Sequence, residues 1–510
     1  MKSGVLLCLW LAASLSSLSC RRNRPPDRPS RPSGPASLWP GATGEFWASS
    51  YDPDYQDVVS FQFDWGGGDT SAWTAFSESA SVMMHHAWLN PGQYGVRARA
   101  RDDKNAESNW SESLAVSVAF VGFAPNVSVD QGRSCVSPSI AIGPPTGGYQ
   151  AVYVAMQDGP NIAFQKSTNA GASWLADNRV VCQGYIPDIT TDADGGIHIV
   201  YHVSDHVYCV HSFDGGSTWS SPARVDDCDT TFGIGSADVA AGTAGHLFSA
   251  WNDGRSGSPH IWSSTSADQG ATWNLNFRAD DDSSNSGCCE RGVYVQPGTN
   301  HYFVAADVGD DATVYRSRDM GQTFEPGVQL ETGRDYARSA CVVADREHVI
   351  CGYIGGYENG VTRTRTLYTT PDTWGQCKNV TDGSHNSYWV ALAMSASGRV
   401  HAAQMMNRND GNYGIYYAYS TDHGATWCAP ERIDDDRTED KCYPDIGADS
   451  VGYAYIVWED WRAGNPGVWF STNNPASSGG GFRRRDSEQM QPRVKGRTAD
   501  RHPVSGSLPH

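Results

Sequence analysis

Short apolar runs separated by turn residues organise this chain of 510 residues. Seven of them look alike: SPSIAIG (137–143), IPDITTD (186–192), SADVAAG (236–242), RGVYVQP (291–297), SACVVA (339–344), YWVALAM (388–394) and YPDIGAD (443–449). Runs this short, bounded by Gly, Pro and Asp, predict strands. A second class, most of whose members run into acidic residues, comprises NRVVCQ (178–183), ARVDD (223–227), FRADD (277–281), GVQLET (327–332), KNVTDG (378–383) and ERIDDD (431–436). A turn recurs ahead of these. Residues 212–219 read SFDGGSTW, 266–273 SADQGATW, 317–324 SRDMGQTF and 420–427 STDHGATW, while 167–174, STNAGASW, carry Asn169 at the Asp position. The closing aromatics, Trp174, Trp219, Trp273, Phe324 and Trp427, lie 45, 54, 51 and 103 residues apart. Self-similarity at such a period marks a propeller or a solenoid.

The repeated turn has a physical reading. Its Asp accepts backbone N–H groups across the turn, its Gly supplies a positive φ, and its aromatic packs against a strand. In phase, it resembles the Asp-box of sialidases and related BNR-repeat proteins. That resemblance implies a β-propeller whose boxes sit on the turns between third and fourth strands, away from the ligand-binding face. Asp214, Asp268, Asp319 and Asp422, with Trp174, Trp219, Trp273 and Trp427, then brace the blades and take no part in binding.

Each box lies between a third strand and an outer strand, and each outer strand is followed by an inner one. The unit after ERIDDD has YPDIGAD, AYIVWED and GVWFSTN but no outer strand, whereas NVSVDQ (126–131) at the front is an outer strand without a blade. Pairing the two closes a ring and removes an open edge. The fold expected is all-β: a seven-bladed sialidase-like propeller over 120–474, with six blades as the alternative if a weak unit is mis-phased. The fifth unit keeps only a decayed box, YTTPDTW (368–374).

Residues 1–20, MKSGVLLCLWLAASLSSLSC, read as a secretory signal. With Cys20 at its end, the segment resembles a bacterial lipoprotein signal, which implies lipidation of Cys20 and a place at the outer membrane or cell surface; plain secretion or a periplasmic location is the alternative. Residues 21–35, RRNRPPDRPSRPSGP, predict an extended basic linker. Residues 36–119 carry strands FWASSYD, VSFQFDW, QYGVRARARD and SLAVSVAF, with Phe63, Trp65, Trp88 and Tyr94 as core aromatics. They resemble a PKD-type immunoglobulin-like sandwich. Residues 475–510 predict a disordered basic tail.

The net charge is −19; residues 1–35 carry +5 and 483–510 carry +4, which leaves −28 on the stretch between. Such a body does not attract nucleic acid or an anionic membrane surface, so membrane contact is expected through a lipid anchor alone. Of 13 Cys, eleven lie beyond the signal. Export favours disulfides, and Cys341 with Cys351, flanking the turn ADREH, form the expected pair. The cysteine spacings fit no zinc site, and no cofactor is expected. The acidic loop DDDRTED offers oxygens to Ca²⁺ but lacks the EF-hand spacing.

Propellers bind ligands on the face of the second-to-third-strand loops and the interblade loops. Here that face carries Asp253, Arg255, Arg408, Asp410, Glu459, Asp460 and Arg462, beside Tyr336, Tyr357 and Tyr443. Aromatics with carboxylates and guanidiniums suit sugars or peptides. The sialidase resemblance implies three Arg clamping a carboxylate, a Tyr nucleophile with its Glu, and an Asp acid/base. The family's first Arg sits in a Phe/Tyr-Arg-Ile-Pro motif at the start of the propeller; residues 137–145, SPSIAIGPP, hold no Arg. Arg255 and Arg462 follow acids by two or three residues, the spacing of a repeated ion pair. Tyr443 opens an inner strand as Tyr185 opens another, which reads as positional. The reading is an exported platform that binds glycan or an extracellular protein without catalysis. An exo-sialidase or other glycoside hydrolase of that type, and a structural adhesion or assembly component, are the alternatives.

Overall fold

The computed structural model describes residues 23–478, apart from 39–42, 55–57, 79–80, 89–91, 120–121, 146–149, 230–234, 282–291, 297, 310, 332–336, 357–359, 408–411 and 463. The signal segment with Cys20, the tail beyond 478 and Cys288 and Cys289 lie outside the described residues. Contacts divide the chain into Met1–Ala119 and Phe120–His510.

In the first unit, the strand Gly92–Asp102 alternates Val96, Ala98 and Ala100, all buried, with Arg97, Arg99 and Arg101. That period of two gives a sheet with one apolar face. It lies between Leu114–Val118 and Val59–Gly66 in a five-stranded sheet, while Thr43–Ser49 pairs with Ser81–Ala87 in a second. Phe46, Phe63, Trp65 and Trp88 fill the space between them, with Tyr94 at the margin. This is an immunoglobulin-like sandwich. The Pro/Arg-rich stretch is not a free linker over its described part. Pro26, Pro29 and Pro32 are buried. Asp27, Ser30 and Ser33 donate their N–H groups to Tyr51, Ser49 and Trp47 carbonyls at 2.8–2.9 Å. A three-residue period is that of a polyproline II helix. The prolines go inward once per turn, and the non-proline residues supply the donors that cover the edge of Thr43–Ser49.

In the second unit, the second strand of each repeat is almost wholly buried; all seven residues of Ala454–Asp460 are buried. A strand buried on both faces needs a sheet on either side. Among the described residues, seven antiparallel sheets follow one another along the chain. Their inner strands are Cys135–Ile142, Tyr185–Thr191, Ala237–Ala241, Val293–Val295, Ala337–Ala344, Asn386–Met394 and Lys441–Ala448. Seven apolar clusters each join one blade to the next. The one that joins blade 7 to blade 1, with Tyr455, Val457 and Phe470 against Val152, Val154 and Met156, is built like the other six. The fold is a seven-bladed β-propeller, and the six-bladed alternative does not hold.

The last blade is completed by the strand Val127–Ser128, whose residues pair with Phe470 and Trp469. A clamp beside it repeats one found elsewhere in the ring. Asn126 and Asp435 exchange backbone-to-side-chain bonds of 3.2 and 2.7 Å, and Asn126 Nδ2 donates to the Ile433 carbonyl at 3.1 Å. Between blades 2 and 3, Asn276 and Asp227 make the same two bonds at 2.9 and 2.8 Å, and Asn276 Nδ2 reaches the Val225 carbonyl at 3.1 Å. The seam where the two ends of the propeller meet is thus chemically an ordinary blade junction.

The repeated turns form the expected network. Ser266 Oγ donates to Asp268 Oδ1 and accepts the Gly270 N–H, while Thr272 gives its N–H to Oδ1 at 2.8 Å and its hydroxyl to Oδ2 at 2.6 Å. The turns of Asp214, Asp319 and Asp422 repeat this. Asn169 substitutes by accepting the Ser173 N–H and donating to its hydroxyl. Trp174 packs edge-on against Phe470 and Trp219 against Phe164, each an aromatic of the preceding blade. The turn glycine makes this approach feasible: a Cβ on Gly171 would lie 2.2 Å from Phe470.

The expected disulfide is absent. Cys351 pairs in register with Val342, and Cys341 with Gly352. This one-residue offset sends the two thiols to opposite faces, Cys341 into the core shared with blade 6 and Cys351 into that shared with blade 4. Both are thiols, as are Cys135, Cys182, Cys209, Cys228, Cys377, Cys428 and Cys442 among the described residues.

Two outcomes are expected from urea unfolding. Asn126→Ala and Asn276→Ala each remove three matching side-chain hydrogen bonds, two accepted by Oδ1 and one donated by Nδ2, so each should cost about 2–3 kcal/mol. A neutral Asn126→Ala beside a costly Asn276→Ala would contradict the closure described. Asp268→Ala should cost about 1–2 kcal/mol, the range for a lost capping bond.

Candidate functional site

The inner strands of all seven blades surround a central cavity of about 450 Å³, lined among others by Ser139, Asp188, Asp238, Tyr294, Val342 and Asp445. Its carboxylates tie neighbouring strands together. Asp445 accepts the Ile140 N–H at 2.8 Å, Asp188 accepts the Ser139 hydroxyl at 2.7 Å and the Val239 N–H at 2.8 Å, and Asp238 accepts the Gly292 N–H at 2.6 Å. These acids were legible in the sequence as the Asp shared by IPDITTD, SADVAAG and YPDIGAD, but the run alone does not say that they face a channel.

At their starts, five inner strands slip register against the second strand: blades 1, 2, 5, 6 and 7. In four of them a non-glycine residue sits in the left-handed region: Ser137 (φ 50°), Ile186 (46°), Ser339 (54°) and Tyr443 (49°). Such bulges re-aim side chains, and a bulky residue there stores strain. The preceding blade holds three of them in place. Glu459 accepts the Ser137 N–H at 2.6 Å, Gln157 the Ile186 N–H at 3.2 Å, and Asp307 the Ser339 and Ala340 N–H groups at 2.9 and 3.2 Å. Burial pushes the Glu459 carboxyl up, against the pull of the Ser137 N–H. It pushes Asp307 up to about 6, against those of Ser339 and Ala340.

Tyr443 does not share its position with Tyr185. Aligned on the Pro-Asp that follows, it matches Ile186. The ring of Tyr443 is 46% exposed and stands edge-on to Trp389, with centroids 5.2 Å apart. Tyr185, 40% exposed, stacks on His202 at 5.8 Å. Arg338 lies 5.7 Å from the Tyr388 ring, which meets Tyr413 edge-on.

The other expected site residues do not converge. Asp253 holds Arg255 through bonds of 2.6–3.0 Å, Arg255 also reaches Asp227 and Asn276, and its guanidinium lies over Trp262 at 4.3 Å. Asp460 and Arg462 repeat this with Asp435, Asn126 and Trp469 at the junction of blades 6 and 7. Both arginines therefore reinforce the interblade clamps, four junctions apart. Asp253 and Asp460 are fully buried, and Glu459 is buried under the first inner strand. Asp253, Arg255, Glu459, Asp460 and Arg462 are accordingly all engaged in contacts within the propeller. Arg408, Asp410, Tyr336 and Tyr357 lie outside the described residues.

No protein-family model matches the chain, and no curated protein matches it. Solved structures do. The PKD domain of an M14-like peptidase from a Thermoplasmatales archaeon is 34% identical; the match covers 19% of this chain and 98% of that one, with a TM-score of 0.18. A protein of unknown function from Dyadobacter fermentans is 13% identical over 69% of this chain and 98% of that one, with a TM-score of 0.44. The subtype N11 neuraminidase-like protein of a flat-faced bat H18N11 isolate is 8% identical over 72% of this chain and 96% of that one, with a TM-score of 0.37.

Asp307 gives the site a pH signature. Its folded pKa of about 6 lies above the unfolded value of about 3.9. The folded state then holds the proton longer, so stability falls as pH rises from about 4 to about 6 and levels off above. Asp307→Asn keeps an acceptor and removes the charge. Melting temperatures of the two proteins should diverge in favour of the variant across that window; a constant difference from pH 4 to 8 would contradict the assignment.

Proposed function

We propose that the propeller is a non-catalytic glycan-binding platform, exported and displayed at the cell surface. The observation that carries this reading is Tyr443. An exposed aromatic on a strained, bulged strand start, braced edge-on by Trp389, offers a flat apolar face of the kind that sugar rings stack on. The left-handed start recurs at Ser137, Ile186 and Ser339, and what sets Tyr443 apart is a partly exposed aromatic residue at that position. Tyr185 and Trp461, also exposed, lie on the same rim of strand starts and second-to-third-strand loops.

Hydrolysis of a sialoside is the competing activity. It would need clustered free arginines, and Arg255 and Arg462 are already paired with Asp253 and Asp460. The acidic body also repels an anionic substrate. These points favour neutral sugars as ligands and binding as the activity. Lipid anchoring through Cys20 is part of the same proposal and rests on the N-terminal segment alone.

The test is a glycan array followed by calorimetry on the best oligosaccharide. Tyr443→Gly removes the ring and relieves the left-handed backbone. It should weaken binding by about tenfold or more, as expected for an aromatic anchor, with a melting temperature equal to or above that of the wild type. Binding unchanged in Tyr443→Gly would remove the rim from consideration. A fluorogenic sialoside incubated with the wild type should release no fluorophore above buffer; turnover would move the assignment to the sialidase class.

A further inference from the structure

On the opposite rim, where inner strands turn into second strands, one junction carries a different chemistry. Asp345 opens the turn of blade 5 between Ala337–Ala344 and His348–Gly355. Its Oδ1 accepts the N–H groups of Glu347 and His348 at 2.7 Å, and its carbonyl accepts Gln296 Nε2 from blade 4 at 2.9 Å. His348 Nδ1 lies 3.2 Å from Oδ1. His423, the residue after the box Asp of blade 6, brings its Nε2 to 3.0 Å from Oδ2. The two imidazoles stack at 3.9 Å with an interplanar angle of 20°. One donor atom from each of the three residues lies within 4.8 Å of the other two.

We infer that Asp345, His348 and His423 form a binding site for a divalent transition-metal ion of the zinc class, bridging blades 5 and 6. Two imidazoles with one carboxylate select such an ion over Ca²⁺ or Mg²⁺, which take oxygen donors. Ligands of one tetrahedral ion stand about 3.3 Å apart when each bond is about 2.0–2.1 Å. Asp345 Oδ2 already stands 3.0 Å from His423 Nε2 and 3.4 Å from His348 Nδ1, and the two stacked rings would swing apart from 3.9 Å to about 5 Å to share the ion. All three side chains are partly exposed, at 19–32%, so water can complete the shell.

The donors are also held in place. The positive φ of His423 (55°) is fixed by the box of Asp422, and the His423 carbonyl accepts the Thr366 hydroxyl of blade 5 at 3.1 Å. A Cβ on Gly398 would come within 2.4 Å of His423 Nε2, so the absent side chain leaves room for the ring. The ion would staple blade 6 to the blade whose box has decayed to YTTPDTW.

The repeat supplies the test variant. Gln269 holds the position of His423 at the junction of blades 2 and 3, where its Nε2 faces Asp192 at 3.5 Å. Glutamine therefore fits this turn. The untagged full chain, stripped with a chelator, is titrated with ZnCl₂ by calorimetry and melted with and without the ion. One saturable equivalent and a raised melting temperature are expected, together with visible absorption from Co²⁺ in its place. CaCl₂ should give no such rise. His423→Gln and His348→Gln should each melt near the metal-free wild type, lose the zinc-dependent rise and weaken zinc binding by at least about tenfold, in line with loss of a ligand. Absence of saturable binding would overturn the site, as would binding of equal strength in both variants, which would place the ion on the cysteines or elsewhere.

Discussion

The whole propeller depends on one kind of bond: a side chain of one blade satisfying the backbone of the next. Strands packed face to face leave polar groups of their ends and bulges facing a neighbouring sheet, and buried N–H groups must find partners. Here Asp445, Asp188 and Asp238 serve the inner strands, Glu459, Gln157 and Asp307 serve the bulges, and Asn126 and Asn276 serve the outer strands. Since these bonds run from one blade to the next, opening the ring would leave the N–H groups at the broken junction without those partners.

This has a consequence for where function can reside. Among the described residues, the charges of the second-to-third-strand loops of blades 3 and 7 are engaged by the clamps, as Arg255 and Arg462 show. Among the described residues, Tyr185 and Tyr443 at the strand starts of one rim stay partly exposed, as do the two imidazoles that meet Asp345 on the other. In the proposed reading the first takes an uncharged ligand and the second a cation. Neither requires the blades to move.

Much of this was legible in the chain, and the failures have physical reasons. The box turns follow from local chemistry, since Ser, Asp, Gly and Thr act within eight residues. Closure by NVSVDQ follows from counting unpaired strands. The pairing of Cys341 with Cys351 fails because the hairpin turn is the four residues 345–348 and not the five of ADREH, so Ala344 pairs with Val349 and every pair back to Cys341 is shifted by one. The equivalence of Tyr443 with Ile186 was legible as the Pro-Asp shared by IPDITTD and YPDIGAD, and matching Tyr443 to Tyr185 passed over it. The Pro/Arg-rich segment looks like a linker by composition, yet its three-residue period turns prolines towards the sandwich. Asp345 and His423 are 78 residues apart in sequence and meet only because consecutive blades touch.

Native-state hydrogen exchange tests the closed ring most directly. The N–H of Val129 bonds to the Val468 carbonyl at 2.8 Å, and that of Val468 to Asp130 at 3.1 Å. If closure is what makes the ring one cooperative unit, peptides covering 126–130 and 467–472 should exchange together, with the same protection as the second strand of blade 1, Val152–Asp158. Exchange of 126–130 within seconds while the other two remain protected would show that the N-terminal strand is an accessory and that the ring holds without it.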